Sequence, residues 1–139
     1  MSRRRQPGSD GVVVDASAVV ELLLGGTRGV AIGDRLRGQA LHAPAHLDAE
    51  VLSAFGRLHR AGHISARIVS QRVRALSAAP IQRHALPQLL AGAWGRRANL
   101  SLLDALYVEL ADRLDVGLLT TDRRLARGTS KAEYVEALD

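Results

Sequence analysis

The chain alternates short, wholly apolar runs with longer stretches in which apolar side chains recur every three or four residues. The clearest short run is Gly11-Val12-Val13-Val14, β-branched and unbroken, closed abruptly by Asp15 and Ser17. A run with no polar face reads as a strand buried on both sides, which belongs to a parallel sheet covered by helices. Leu41-His42-Ala43 before Pro44 and Gly117-Leu118-Leu119-Thr120 read as further short strands, residues 80–84 as an edge strand, and Tyr134-Val135 as part of the last one. Helical periodicity fills the intervals: 16–24 stopped by Gly25-Gly26, 29–37 stopped by Gly38, 46–61 stopped by Gly62, a helix entered at Ser65, 87–97, 105–114 entered through Ser101, and 123–127. Strands and helices in alternation predict an α/β architecture with a mainly parallel sheet.

A length of 139 residues suits one domain over 11–139, preceded by a polar leader over 1–10 that carries Arg3, Arg4 and Arg5 and is expected to be disordered. The absence of cysteine excludes a disulfide framework, an iron–sulfur cluster and a thiol nucleophile, so metal chemistry must use oxygen or imidazole ligands. No apolar run reaches the ~20 residues a membrane-spanning helix needs, which sets the expectation of a cytoplasmic protein with no membrane partner.

The net charge of +5 matters less than its distribution. Residues 51–103 hold no Asp or Glu, whereas Arg57, Arg60, Arg67, Arg72, Arg74, Arg83, Arg96 and Arg97 all fall there. A basic stretch beside an acidic cluster suits a polyanionic substrate with a metal-assisted reaction centre, although an arginine-rich composition alone also yields such a run.

Asp15 and Asp122 each stand just after a strand, and Glu50 and Asp104 stand in the first turns of helices. Each has an ordinary explanation: a cap for Asp15, a favourable dipole interaction for Glu50, and the third position of a capping box with Ser101 for Asp104. In a right-handed βαβ sheet, however, strand ends and helix starts share one edge, so all four point to one rim. Crowded carboxylates repel unless a cation compensates, and a hard divalent ion suits an oxygen-only donor set. The histidine pairs at His-x3-His spacing, His42 with His46 and His59 with His63, are weaker candidates for zinc.

Val12-Val13-Val14-Asp15-Ala16-Ser17, Pro44 followed by Glu50-Val51-Leu52, Ser101-Leu102-Leu103-Asp104-Ala105, and Leu119-Thr120-Thr121-Asp122-Arg123-Arg124-Leu125 together resemble the PIN domain family, most nearly its VapC-type toxins. The resemblance runs over residues 12–138, with a leader longer than is usual in the family. It implies a three-layer α/β/α fold with a short central sheet, and an Mg²⁺- or Mn²⁺-dependent endoribonuclease. It also implies an acidic site at Asp15, Glu50, Asp104 and Asp122 supported by the hydroxyls of Ser17 and Thr120. Its further implications are a VapB-type antitoxin partner and a homodimer. The alternative is a PIN-like module that binds RNA or protein without cutting.

Overall fold

The computed structural model describes residues 11–136; the leader expected over 1–10 lies outside the described residues. Five parallel strands form one sheet in the order β3-β2-β1-β4-β5, with β1 (Val12–Val14) at its centre. β2 (Leu41–Pro44) and β4 (Gly117–Thr120) flank it, and β3 (Ile81–His84) and β5 (Ala132–Tyr134) form the edges. Val12 pairs with Leu41 on one side and Gly117 on the other, so the central valines are covered laterally as well as on both faces.

The chain runs outward from β1 through α1 (Ala16–Leu24), α2 (Thr27–Leu36), β2, α3 (Leu47–Arg60) and α4 (Ala66–Ala78) to β3. It then crosses back, by a short 3₁₀ turn at Pro87–Leu89, α5 (Leu90–Gly95) and α6 (Leu102–Leu114), to β4, and ends through α7 (Arg123–Arg127) at β5. Right-handed crossovers in opposite directions put the two sets of helices on opposite faces, giving the three-layer α/β/α fold. The reversal falls between β1 and β4, and a crevice opens at the carboxyl ends of strands at such a switch point.

Burial follows from this order. α6 lies against β1, β2 and β4, and Ala105 through Ala111 are all buried, as expected of a helix covered on every side. α4 covers less: only Leu76 is buried outright, while Val69 and Val73 are half-buried.

Element boundaries shift where local chemistry dictates. α2 begins at Thr27, earlier than expected, because Gly25 already ends α1 at a φ of 81° and Gly26 serves as the next N-cap. The helix expected over 87–97 is divided, with Pro87 leading a 3₁₀ turn and α5 ending at Gly95. In the last strand the ladder covers 132–134, and Val135 continues it only through its N–H to the Thr120 carbonyl at 2.9 Å.

One buried charge was not expected. Glu109, 9 % exposed in the middle of α6, receives Arg96 at 3.1 Å and Arg113 at 2.8 Å. Gly92 makes room for it, since a Cβ there would lie 2.2 Å from the Glu109 carboxyl carbon. Arg96 also reaches Asp112 at 3.0 Å, so this arginine ties α5 to α6. No single helix among the described residues is long and apolar enough to cross a membrane; α1 and α2 together have the length and composition but bend by 112°.

Candidate active site

Asp15 directly follows β1 and Thr120 ends β4, two adjacent strand ends at the switch point, and their side chains meet. Thr120 Oγ1 donates to Asp15 Oδ2 at 2.5 Å, and Ser17 Oγ donates to Asp15 Oδ1 at 2.7 Å. The Ala18 N–H donates to the same Oδ1 at 2.9 Å, so Asp15 is also the N-cap of α1. The cap and the site are one arrangement. Despite these donors, burial raises the Asp15 pKa from 3.8 to about 6, with a further push from the Asp104 charge.

The loop after β4 is held by the same hydroxyls. Thr120 Oγ1 accepts from the Asp122 N–H at 2.9 Å and Ser17 Oγ from the Thr121 N–H at 3.0 Å. Asp122 in turn caps α7, accepting from the Arg124 N–H at 2.8 Å.

Asp104 and Glu50 reach the rim from the N-terminal turns of α6 and α3. Ser101 caps α6 by accepting from the Asp104 N–H at 3.2 Å, which forms half of the expected capping box. Among the described residues the Asp104 carboxylate makes no hydrogen bond to the Ser101 N–H. Burial holds the Asp104 pKa above its ordinary value, and the Asp122 and Glu50 charges raise it further against the Ser101 hydroxyl and Arg124. Asp104 therefore feels the charges of Asp122 and Glu50, and its own charge acts on Asp15.

Tyr107 is the residue that sequence reasoning missed. It reads as one more apolar position of α6, yet its hydroxyl donates to Glu50 Oε1 at 2.6 Å, and burial followed by Glu50 itself drives its pKa upward. His46 Nε2 lies 3.3 Å from the same oxygen and 3.1 Å from the Leu103 carbonyl.

Among the described residues the histidines at His-x3-His spacing, the weaker zinc candidates, form no metal cluster. His42 Nδ1 meets His84 Nε2 at 3.0 Å across β2 and β3, while His59 bonds the Ile64 carbonyl. Burial lowers the pKa of both His42 and His84, and for His42 the neighbouring imidazole adds to it. A base with a depressed folded-state pKa contributes stability that is present above its unfolded value of 6.5 and lost as pH falls. The raised Asp15 pKa acts oppositely, so the informative quantity is a difference between proteins. Melting curves of the parent and His84→Gln are expected to converge as pH is lowered from about 7.5 to 5.5. A constant gap would remove the pair from the pH response.

Two arginines of the acid-free stretch are spent on structure: Arg83 on Asp48 at 2.9 Å and Arg96 on Glu109 and Asp112. Arg57 stays exposed and lines a groove of about 810 Å³ between α1 and α3, floored by Val20, Ala54 and Leu58 and reaching Ser17 and Glu50. Among the described residues no three carboxylate or imidazole groups converge into a ready-made metal cage. The donor set nevertheless fits a hard divalent cation: oxygen donors only, with two carboxyls whose pKa values are raised first by burial and then by neighbouring carboxylates.

Residues 12–130 match the PIN domain. The chain belongs to the PIN domain family. Ribonuclease VapC3 of Mycobacterium tuberculosis is 53 % identical over 125 residues, covering 89 % of this chain and 91 % of that protein. Ribonuclease VapC12 of the same organism is 39 % identical over 125 residues, covering 90 % and 97 %. This PIN domain is therefore of the VapC type. Among solved structures, PAE2754 from Pyrobaculum aerophilum superposes with a TM-score of 0.66 at 25 % identity, covering 91 % of this chain and 85 % of that one. Mycobacterium tuberculosis VapC20, described as a sarcin-ricin loop cleaving toxin, gives 0.62 at 16 % identity over 84 % and 94 %, which supports the fold alone.

Proposed function

We propose that this VapC-type PIN domain is an Mg²⁺- or Mn²⁺-dependent endoribonuclease, the toxin of a toxin–antitoxin pair acting in the cytoplasm. What supports the reading is that Asp104 shares a like-charge interaction with Asp15, with Glu50 and with Asp122, carboxyls contributed by four separate parts of the chain. Asp15, Asp104 and Asp122 would hold the ion, with Glu50 binding it directly or through a water. When bound, the ion lowers the pKa of its water and neutralises charge growing on the scissile phosphate. The protein's own contribution is preorganisation: Ser17 and Thr120 fix Asp15, the turn into α7 fixes Asp122, and the start of α6 fixes Asp104. Exposed arginines, among them Arg57 in the groove beside Glu50, would engage neighbouring phosphates of the RNA.

The groove beside Glu50 has room for a segment of a VapB-type antitoxin, and a basic side chain from it would be drawn to the carboxylates much as a cation is. Assembly as a homodimer is consistent with the exposed Leu90, Trp94 and Leu102, and the mass in solution checks it.

The test of function uses antitoxin-free protein and a panel of structured RNAs. Cleavage is expected in Mg²⁺ or Mn²⁺, to cease in excess chelator, and to return when the metal is restored. Undiminished cleavage in chelator would refute the metal mechanism, and RNA binding without cleavage under every condition would favour the non-catalytic module.

A further inference from the structure

Glu50 lies near the like charge of Asp104 and lines an open groove, so an unrestrained side chain would swing outward, away from Asp104. What opposes this is a buried phenol. Tyr107 is 1 % exposed, lies one turn beyond Asp104 on α6, and places its hydroxyl 2.6 Å from Glu50 Oε1. The His46 ring packs against the Tyr107 ring with centroids 4.7 Å apart and brings Nε2 to 3.3 Å from that same Oε1. Oε1 thus accepts one hydrogen bond, from Tyr107, with His46 Nε2 close by while it bonds the Leu103 carbonyl at 3.1 Å, whereas Oε2 accepts no hydrogen bond among the described residues.

We propose that Tyr107, backed by His46, is a positioning residue that anchors Oε1 of Glu50 and leaves Oε2 alone to serve the carboxylate rim. Its consequence for catalysis rests on the ribonuclease reading above, but the anchoring itself does not. The geometry divides the two oxygens of one carboxylate between a structural task and a chemical one. It also explains a tyrosine between the buried aliphatic side chains of Leu106 and Val108 on α6: phenylalanine would fill the same space but could not hold Glu50.

The experiment compares the parent, Tyr107→Phe, Glu50→Ala and the double variant. Mn²⁺ binding is followed by calorimetry and RNA cleavage by kcat and KM, with thermal melts to verify folding. Tyr107→Phe is expected to weaken Mn²⁺ binding and lower kcat, each by about tenfold, with KM for RNA unchanged. In the Glu50→Ala background the same substitution is expected to change neither, because nothing remains to be positioned. A folded Tyr107→Phe protein with parental Mn²⁺ affinity and kcat would overturn the proposal, as would an equal loss in both backgrounds.

A metal-free measurement separates this from the function itself. The Tyr107 hydroxyl proton is expected as a protected, downfield resonance in the parent that disappears in Glu50→Ala. Rapid exchange with water in the parent would overturn the anchoring even if Tyr107→Phe failed to fold. If the parent bound no Mn²⁺ and cut no RNA, the ribonuclease reading would fail while this resonance still decided the anchoring.

Discussion

Replacing Asp104 by asparagine is expected to abolish RNA cleavage while leaving the metal-free protein at least as heat-stable as the parent. A helix cap and a catalytic carboxylate predict opposite signs here. As the third residue of a complete capping box, Asp104 would stabilise α6, and its loss would cost a few tenths to ~1 kcal/mol. The structure shows half of that box, with Ser101 serving the Asp104 N–H, a bond that asparagine keeps. What asparagine removes is a charge disfavoured by burial and by Asp122 and Glu50. A carboxyl with a raised folded-state pKa opposes folding once it ionises, so at neutral pH its neutralisation is stabilising. Added Mn²⁺ should then raise the melting temperature of the parent more than that of the variant, since ligand stabilisation scales with affinity for the folded state. Cleavage should fall by at least about a hundredfold, the scale of losing one preorganised electrostatic group. A variant that melts lower in chelator, gains equally from Mn²⁺ and still cuts RNA would reduce Asp104 to a structural residue.

The second large effect is expected at Thr120, which is fully buried. Its hydroxyl donates to Asp15 and accepts from the Asp122 N–H, so it couples the ends of β1 and β4. Thr120→Val keeps the shape and strands both partners, at about 1–3 kcal/mol for each buried group left unpaired. The melting temperature should fall by several degrees. The pH response has a definite sign as well. The Thr120 bond is the strongest influence lowering the Asp15 pKa against burial, and without it that pKa should rise above about 6. Metal binding needs the ionised carboxylate, so the acid limb of the pH–rate profile should move to higher pH in the variant. Thr120→Ser restores the hydroxyl and should return the limb toward the parental position. An unchanged limb in Thr120→Val would detach Thr120 from the ionisation of Asp15.

Much of this was legible in the chain because the signals are local. A β-branched run ending in an acid states both a strand and its carboxyl end, and Asp15 and Asp122 follow from that pattern directly. The strand order was not local, because the return from β3 across β2 and β1 depends on how α6 packs. For the same reason Glu109 and Arg96, 13 residues apart, read as surface charges and prove to be an internal tie. Tyr107 was hidden because a phenol and an aliphatic side chain fill the same helical position, and only the approach of α3 gives its hydroxyl a partner. The His42–His46 spacing is not a one-turn helical pair, because Pro44 ends β2 between them. The pairing of His42 with His84 instead follows from the parallel register, in which His42 stands beside Gln82 and Pro44 beside His84.

Whether the four carboxylates act through a metal-activated water is decided most directly by the ends of the cut RNA. The ends should be mapped for a structured RNA cleaved by antitoxin-free protein in Mg²⁺ or Mn²⁺, with Asp104→Asn in parallel. Attack by water predicts a 5′-phosphate and a 3′-hydroxyl from the parent and no specific cut from the variant. A 2′,3′-cyclic phosphate with a 5′-hydroxyl, or the same ends from both proteins, would contradict it, because the nucleophile would then be the ribose or the rim would not be the active site.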